Sequence, residues 1–364
     1  MRPEHSNCLS VRRRAPSVAA ATRCSTVGKV ARSARRNIAT IVLSCLLAVP
    51  CAAAEPFLLG YQRPDGAITV LLHGDVVDPY FAAKALVGAD DAHTDVRSAA
   101  LKWIEWLMPR QKPDGTFDRF CERNGNTTPC ARADADDAAL ALWIELLARY
   151  APSGRMPSSW LSSLDKSTAY LDRLYDPHRG VYQISSTLPV ALLMDNVEVQ
   201  DAMRALSAYY ARAGDSRMAN KWRTSAERLS RAIVKTFWSA GRYEPSTQHL
   251  ADQSFYPTAV AQVFPILSDI GAPGQSNAAF YARWMKQNCR AWLDLPQHDY
   301  PWGLVALASQ KFGDRAALAC WHAHSAPFRH GAHWNVLEEA LFTSFEAQLS
   351  DPLAPAQCCM PPNS

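Results

Sequence analysis

PHRGVYQI, residues 177–184, is the stretch whose reading decides the fold. It lies between two helical patterns and sets a turn glycine, Gly180, two residues before an aromatic, Tyr182. The arrangement occurs twice more. PDGTFDRF at 113–120 places Gly115 before Phe117, and SAGRYEPS at 239–246 places Gly241 before Tyr243. The glycines are 65 and 61 residues apart, and each interval holds two helices. A helix pair cannot bury its apolar face alone, so this period predicts stacked helix hairpins. Five to six pairs use up the chain, and closure of the stack gives an (α/α)6 toroid.

Outward from these loops the pattern is helical. Apolar residues recur at spacings of three and four over 94–108, 138–150, 161–174, 197–213, 217–238, 259–267, 277–288, 304–312, 315–324 and 336–349. With a short helix at 79–87, about eleven helices are expected. Only 57–72 reads as strand, a hairpin turning at RPDG. The expected class is therefore all-α, an (α/α)6 ring of helix hairpins, complete or incomplete, with a short N-terminal β-hairpin. No Gly/Ser linker divides it, so 55–350 is expected to be one domain and 351–364 a flexible tail.

Residues 1–54 read as an export leader. Nine Lys or Arg stand against one acid, Glu4, before an apolar run over 38–50. Ala52 and Ala54 fit a signal-peptidase site ahead of Glu55. The run is too short for a stable membrane anchor. Without the leader the formal charge changes from +4 to −4, so the basic excess belongs to export and not to nucleic-acid binding. A periplasmic or secreted protein is expected.

Of the ten cysteines, Cys121, Cys130, Cys289, Cys320, Cys358 and Cys359 follow the leader. An even number in an exported chain predicts disulfides. Cys121 and Cys130 flank a polar loop and are the preferred pair. Cys289 with Cys320 is the second, leaving the adjacent Cys358 and Cys359 in an unstructured or lightly tethered tail.

Acids gather at three junctions. Asp134, Asp136 and Asp137 precede an apolar helix, where Asp134 as N-cap with Asp137 three residues on would explain two of the three. Asp195, Asn196 and Glu198 open another helix; Asp195 and Glu198 have capping-box spacing, with Asn196 surplus and Asp201 one turn later. Asp118 lies in a loop. Glu338 and Glu339 read as a solvated face. His330 and His333, with His322 and His324 nearby, have no third ligand at a recognisable metal spacing, and no metal or cofactor is expected. Among eleven tryptophans, Trp302 and Trp334 lie at helix starts, as does Tyr256 before its helix; such rings offer flat faces to sugars, although packing alone also explains a lone ring.

Five stretches, DPYFAAKALVGADD (78–91), DGTFDRF (114–120), DADDAAL (134–140), LLMDNVEV (192–199) and FYPTAVAQVFPIL (255–267), together resemble the six-hairpin glycosidase superfamily. Their order, over 78–267, carries most of the likeness. In that pattern Asp134, Asp137, Asp118, Asp195, Asn196 and Glu198 match, whereas Thr258 stands where an acid is usual. The resemblance implies a toroid with an acidic funnel and a poly- or oligosaccharide ligand.

Glycosidic hydrolysis needs a protonated carboxylic acid for the leaving oxygen and a second carboxylate to activate water or attack. Asp137 and Asp195 are the expected principal pair, Asp118 and Glu198 the reserves, and Asp134, Asn196, Tyr256, Trp302 and Trp334 the expected substrate contacts. Three rivals stand. Asp134–Asp137 also reads as the Asp-x-Asp-Asp of a class II terpene cyclase, against which the export leader and the absence of repeated Gln-Trp motifs weigh. A sugar-binding protein of polysaccharide export would keep the aromatics and lose an acid, as Thr258 allows. A lyase would use Tyr256 or His333 as base with Arg329.

Overall fold

The computed structural model describes residues 57–152, 154–248, 254–349 and 358–359. The leader and most of the tail lie outside them.

Eleven α-helices are found among the described residues: α1 Pro79–Asp91, α2 Arg97–Leu107, α3 Asp136–Tyr150, α4 Ser158–Arg173, α5 Leu193–Arg212, α6 Ser216–Phe237, α7 Val263–Leu267, α8 Asn277–Asp294, α9 Gly303–Lys311, α10 Arg315–Ser325 and α11 Val336–Glu346. They alternate between two layers. Helix α3, apolar on all sides, has 13 of its 15 residues buried; α6, apolar along one stripe, has 4 of 22. The odd-numbered helices pack on one another in chain order, and α11 returns to pack on α1, closing the inner ring. The even-numbered helices form the outer layer. Among the described residues that layer has five members. Beside the α11/α1 closure lies the N-terminal segment, whose Val70 carbonyl accepts the Val336 N–H at 2.9 Å.

That segment is less regular than expected. The hairpin over 57–72 reduces to one bridge, Gln62 with Ile68, around the predicted turn. Gly66 has φ +101°, and a β-carbon there would meet the Lys102 carbonyl of α2 at 2.3 Å, so close docking on α2 requires glycine.

The three repeated loops each join an outer helix to the next inner one. Gly115, Gly180 and Gly241 all have positive φ, and Phe117, Tyr182 and Tyr243 are buried. The second and third loops are minimal hairpins. Counting Val76–Val77 as β1, Asp118–Arg123 as β2 and Asn126–Arg132 as β3, they pair β4 Tyr175–Asp176 with β5 Val181–Tyr182, and β6 Trp238–Ser239 with β7 Arg242–Tyr243. An amide from the following inner helix locks each: Asn196 Oδ1 accepts from Tyr182 N–H at 2.7 Å and its Nδ2 donates to Tyr182 O at 2.9 Å, while Gln262 Oε1 accepts from Tyr243 N–H at 2.9 Å.

The first loop is larger. The stretch read as a polar loop is a hairpin of β2 and β3, turning at Asn124–Gly125 and extended by β1. The Cys121–Cys130 disulfide crosses it as expected. The second pairing is corrected: Cys289 bonds Cys359 and Cys320 bonds Cys358. The vicinal tail cysteines thereby fasten the tail to the outer helices α8 and α10. No described helix is long and apolar enough to cross a membrane.

Candidate active site

All inner helices begin at one mouth of the ring, where their positive dipole ends favour carboxylates. Asp137 and Asp195 lie in the first turns of α3 and α5. Neither capping reading holds. The N-cap positions are Ala135 and Leu192, with no side-chain cap. Asp134 is largely exposed and pairs with Arg119, and Glu198, instead of reaching back to the Asp195 backbone as a capping box requires, pairs with Lys84 Nζ at 2.7 Å. The acids are therefore free of the structural work that their spacing suggested.

Asp137 is 0% exposed and Asp195 6%. Their carboxyls meet at hydrogen-bonding range, and burial together with the facing Asp195 raises Asp137 well above the usual carboxylate range. Burial and the nearby Glu198 raise Asp195 to about 7, against the opposing pull of Asp137 and Lys84. Two buried carboxylates in contact oppose each other's ionisation, so the pair keeps its protons to higher pH than solvated carboxyls do. Asp137 Oδ1 accepts the Ala138 N–H at 2.9 Å; Asp137 Oδ2 and Asp195 Oδ2 have no donor from the protein.

One turn deeper on α5, Glu198 Oε1 receives both Lys84 Nζ and, at 3.1 Å, the Tyr80 hydroxyl of α1. Burial alone would depress Lys84, but the Glu198 contact outweighs it and the ammonium is held above its ordinary range. Sequence reading missed Lys84 and Tyr80. Their i, i+4 spacing on an apolar helix, with a lysine inside the stripe, was the available signal.

On the rim, Asp118 pairs with Lys112 at 2.7 Å and is partly exposed. Asp78 caps α1 through the Tyr80 N–H and pairs with Arg119 at 2.6 Å. Tyr256 is 44% exposed and stacks on Trp302, with ring centroids 4.7 Å apart and planes inclined by 13°. Asp195 and Glu198 act on the Tyr256 hydroxyl electrostatically, which places this ring pair beside the acids. Two other expected contacts are corrected. Asn196 is fully buried in the hairpin lock. Trp334 is 1% exposed, and its Nε1 donates to Glu339 Oε2 at 2.9 Å.

Glu338 and Glu339 are not a solvated face; both are buried. Glu339 is held by Arg329, His330 and Trp334, which takes His330 and Arg329 into a structural cluster. Glu338 Oε2 accepts the Gly303 N–H at 2.8 Å and so fixes the backbone at Trp302, which has a left-handed φ of 51°. Burial raises Glu338 to about 7. A carboxyl raised on folding contributes stability that is present below its unfolded pKa and lost as pH rises through the folded one. Glu338→Gln keeps an acceptor and removes the charge. It is expected to leave the melting temperature at pH 5 nearly unchanged and to raise stability at pH 8 by about 2–3 kcal/mol. Scanning calorimetry at the two pH values checks this; an equal change at both would show that the carboxyl does not titrate there.

The closed ring of helix hairpins, with a buried acidic pair and an aromatic pair at one mouth, is an (α/α)6 toroid. Solved structures agree on the fold. A glycosidase variant in complex with glucose superposes with TM-score 0.54 at 12% identity, over 80% of this chain and 94% of that one. A novel α-amylase from Clostridium perfringens gives 0.52 at 11%, over 80% and 95%. No protein-family model and no curated protein sequence matches the chain.

Proposed function

We propose that the protein is an exported glycoside hydrolase that cleaves a bacterial poly- or oligosaccharide. The observation that carries this reading is the buried Asp137–Asp195 pair beside the Tyr256–Trp302 stack. Asp195, the more exposed of the pair, meets the glycosidic oxygen and donates the proton, with Asp137 behind it. Two carboxyls in contact cannot stand on either side of a scissile bond, where acid and base are about 5–9.5 Å apart. The second carboxylate is therefore assigned to Asp118, ordered by Lys112 and open to water. Substrate sugars stack on Tyr256 and Trp302. Export rests on the basic leader and fits three disulfides.

Release of reducing ends over a panel of bacterial polysaccharides tests the proposal. Hydrolysis of at least one polymer is expected. Oligosaccharide binding without cleavage across the panel would replace the enzyme with a sugar-binding protein. On the polymer that is cleaved, Tyr256→Ala is expected to raise KM roughly tenfold through lost stacking with kcat nearly unchanged. A fall in kcat alone would place the ring away from the sugar.

A further inference from the structure

Beneath the acidic pair, the interior holds more negative than positive charge. Asp137 comes from α3 and Asp195 and Glu198 from α5; Tyr80 and Lys84 face them from α1, and Tyr256 from the turn before α7. Lys84 is buried, 2.7 Å from Glu198 Oε1, and its ammonium lies 4.8 Å from the centroid of the Phe264 ring of α7. On the rim, Arg119 is committed to Asp78 and Asp134 and Lys112 to Asp118. Below Lys84 a cavity of about 920 Å³ opens toward the opposite mouth, lined by Glu145, Arg149 and Asp201 among others. Arg149 is bound to Glu145, Asp90 and Asp91, and Asp201 accepts from the Ser268 hydroxyl.

Resting on the reading above, we propose that Lys84 is a positioning residue that holds Glu198 in place below the Asp137–Asp195 pair and offsets its charge there. It reaches the pair through Glu198, whose Oε1 its ammonium contacts at 2.7 Å. It acts through charge and through geometry. With Tyr80 it occupies Glu198 Oε1, which leaves Glu198 Oε2, itself without a protein donor, as fixed negative charge one turn below Asp195. Without the ammonium, Asp195 and Glu198 would be uncompensated anions in a poorly solvated interior, where a charge at a few ångströms is felt strongly. The titration of the Asp137–Asp195 pair would then move to higher pH.

The test titrates the buried carboxyls directly, by isotope-edited infrared or carbon NMR on protein labelled at Asp and Glu, and needs no substrate. In Lys84→Met the carboxyl titration is expected to move up by about one pH unit or more. Breaking a buried pair destabilises strongly, so a second variant guards against misfolding: Lys84→Met with Glu198→Gln removes both charges and is expected to return the Asp titration to within about half a unit of the parent. An unchanged titration in Lys84→Met, or an equal shift in the double variant, overturns the proposal. If a cleaved polymer is in hand, Lys84→Met should move the basic limb of the kcat profile by the same amount and leave KM within about threefold. A titration that moves as expected in a protein that cleaves nothing would leave Lys84 its role and reject the hydrolase.

Discussion

Asp195→Asn and Asp137→Asn are each expected to lower kcat/KM by about a thousandfold or more, within the range of positioned acid catalysis, while the fold survives. The stability half of this expectation follows from the sign of the shifts. Both carboxyls are raised on folding, chiefly by burial, so each ionised form opposes folding at alkaline pH. An amide removes that penalty. Melting temperatures are therefore expected to be unchanged at pH 5 and unchanged or higher at pH 8. A capping role would give the opposite result, with both variants unfolding. On a polymer that the parent protein cleaves, kcat should fall as pH rises through about 7, where Asp195 gives up its proton. Asp118→Asn belongs in the same series and should cost a comparable factor. Retained activity in that variant would remove Asp118 as the second carboxylate and leave the pair's role intact.

The second large effect concerns the tail. Cys358→Ser with Cys359→Ser opens both of its bonds. The Cys289–Cys359 bond alone spans 70 residues, and a loop of that length restrains the unfolded chain by about 4 kcal/mol. The double variant is expected to lose about that much, lowering the melting temperature on the order of 10 °C. The pairing expected from sequence, Cys289 with Cys320, would be untouched by these substitutions and predicts no loss. Non-reducing peptide mapping of the parent gives the same answer independently.

The two disagreements have one source. Sequence spacing reports local geometry, and both disulfide pairing and acid function are set by tertiary neighbours. The eleven helices were legible because an apolar period survives any packing, and the ring was legible because Gly115, Gly180 and Gly241 repeat. Asp195 and Glu198 at the third and sixth positions of α5 look like a capping box in one dimension. In three dimensions Asp137 and Lys84, 58 and 114 residues away, claim them. The β2/β3 hairpin was partly legible. Its Asn124–Gly125 turn is a strong hairpin signal, but the flanking strands are polar and show no alternation, because β3 is exposed along nearly its whole length and the disulfide substitutes for a core. Glu338 and Glu339 misled for the same reason as Lys84: charge on an otherwise apolar helix is usually solvated, and only closure of α11 on α1 buries it.

The account is tested most directly by a crystal structure of the Asp195→Asn variant with an oligosaccharide that the parent cleaves. The expected complex has a glycosidic oxygen within hydrogen-bonding distance of the side chain at position 195 and a sugar ring on Tyr256. A ligand seated instead in the cavity at the opposite mouth, among Arg149, Asp201 and Lys311, would contradict it.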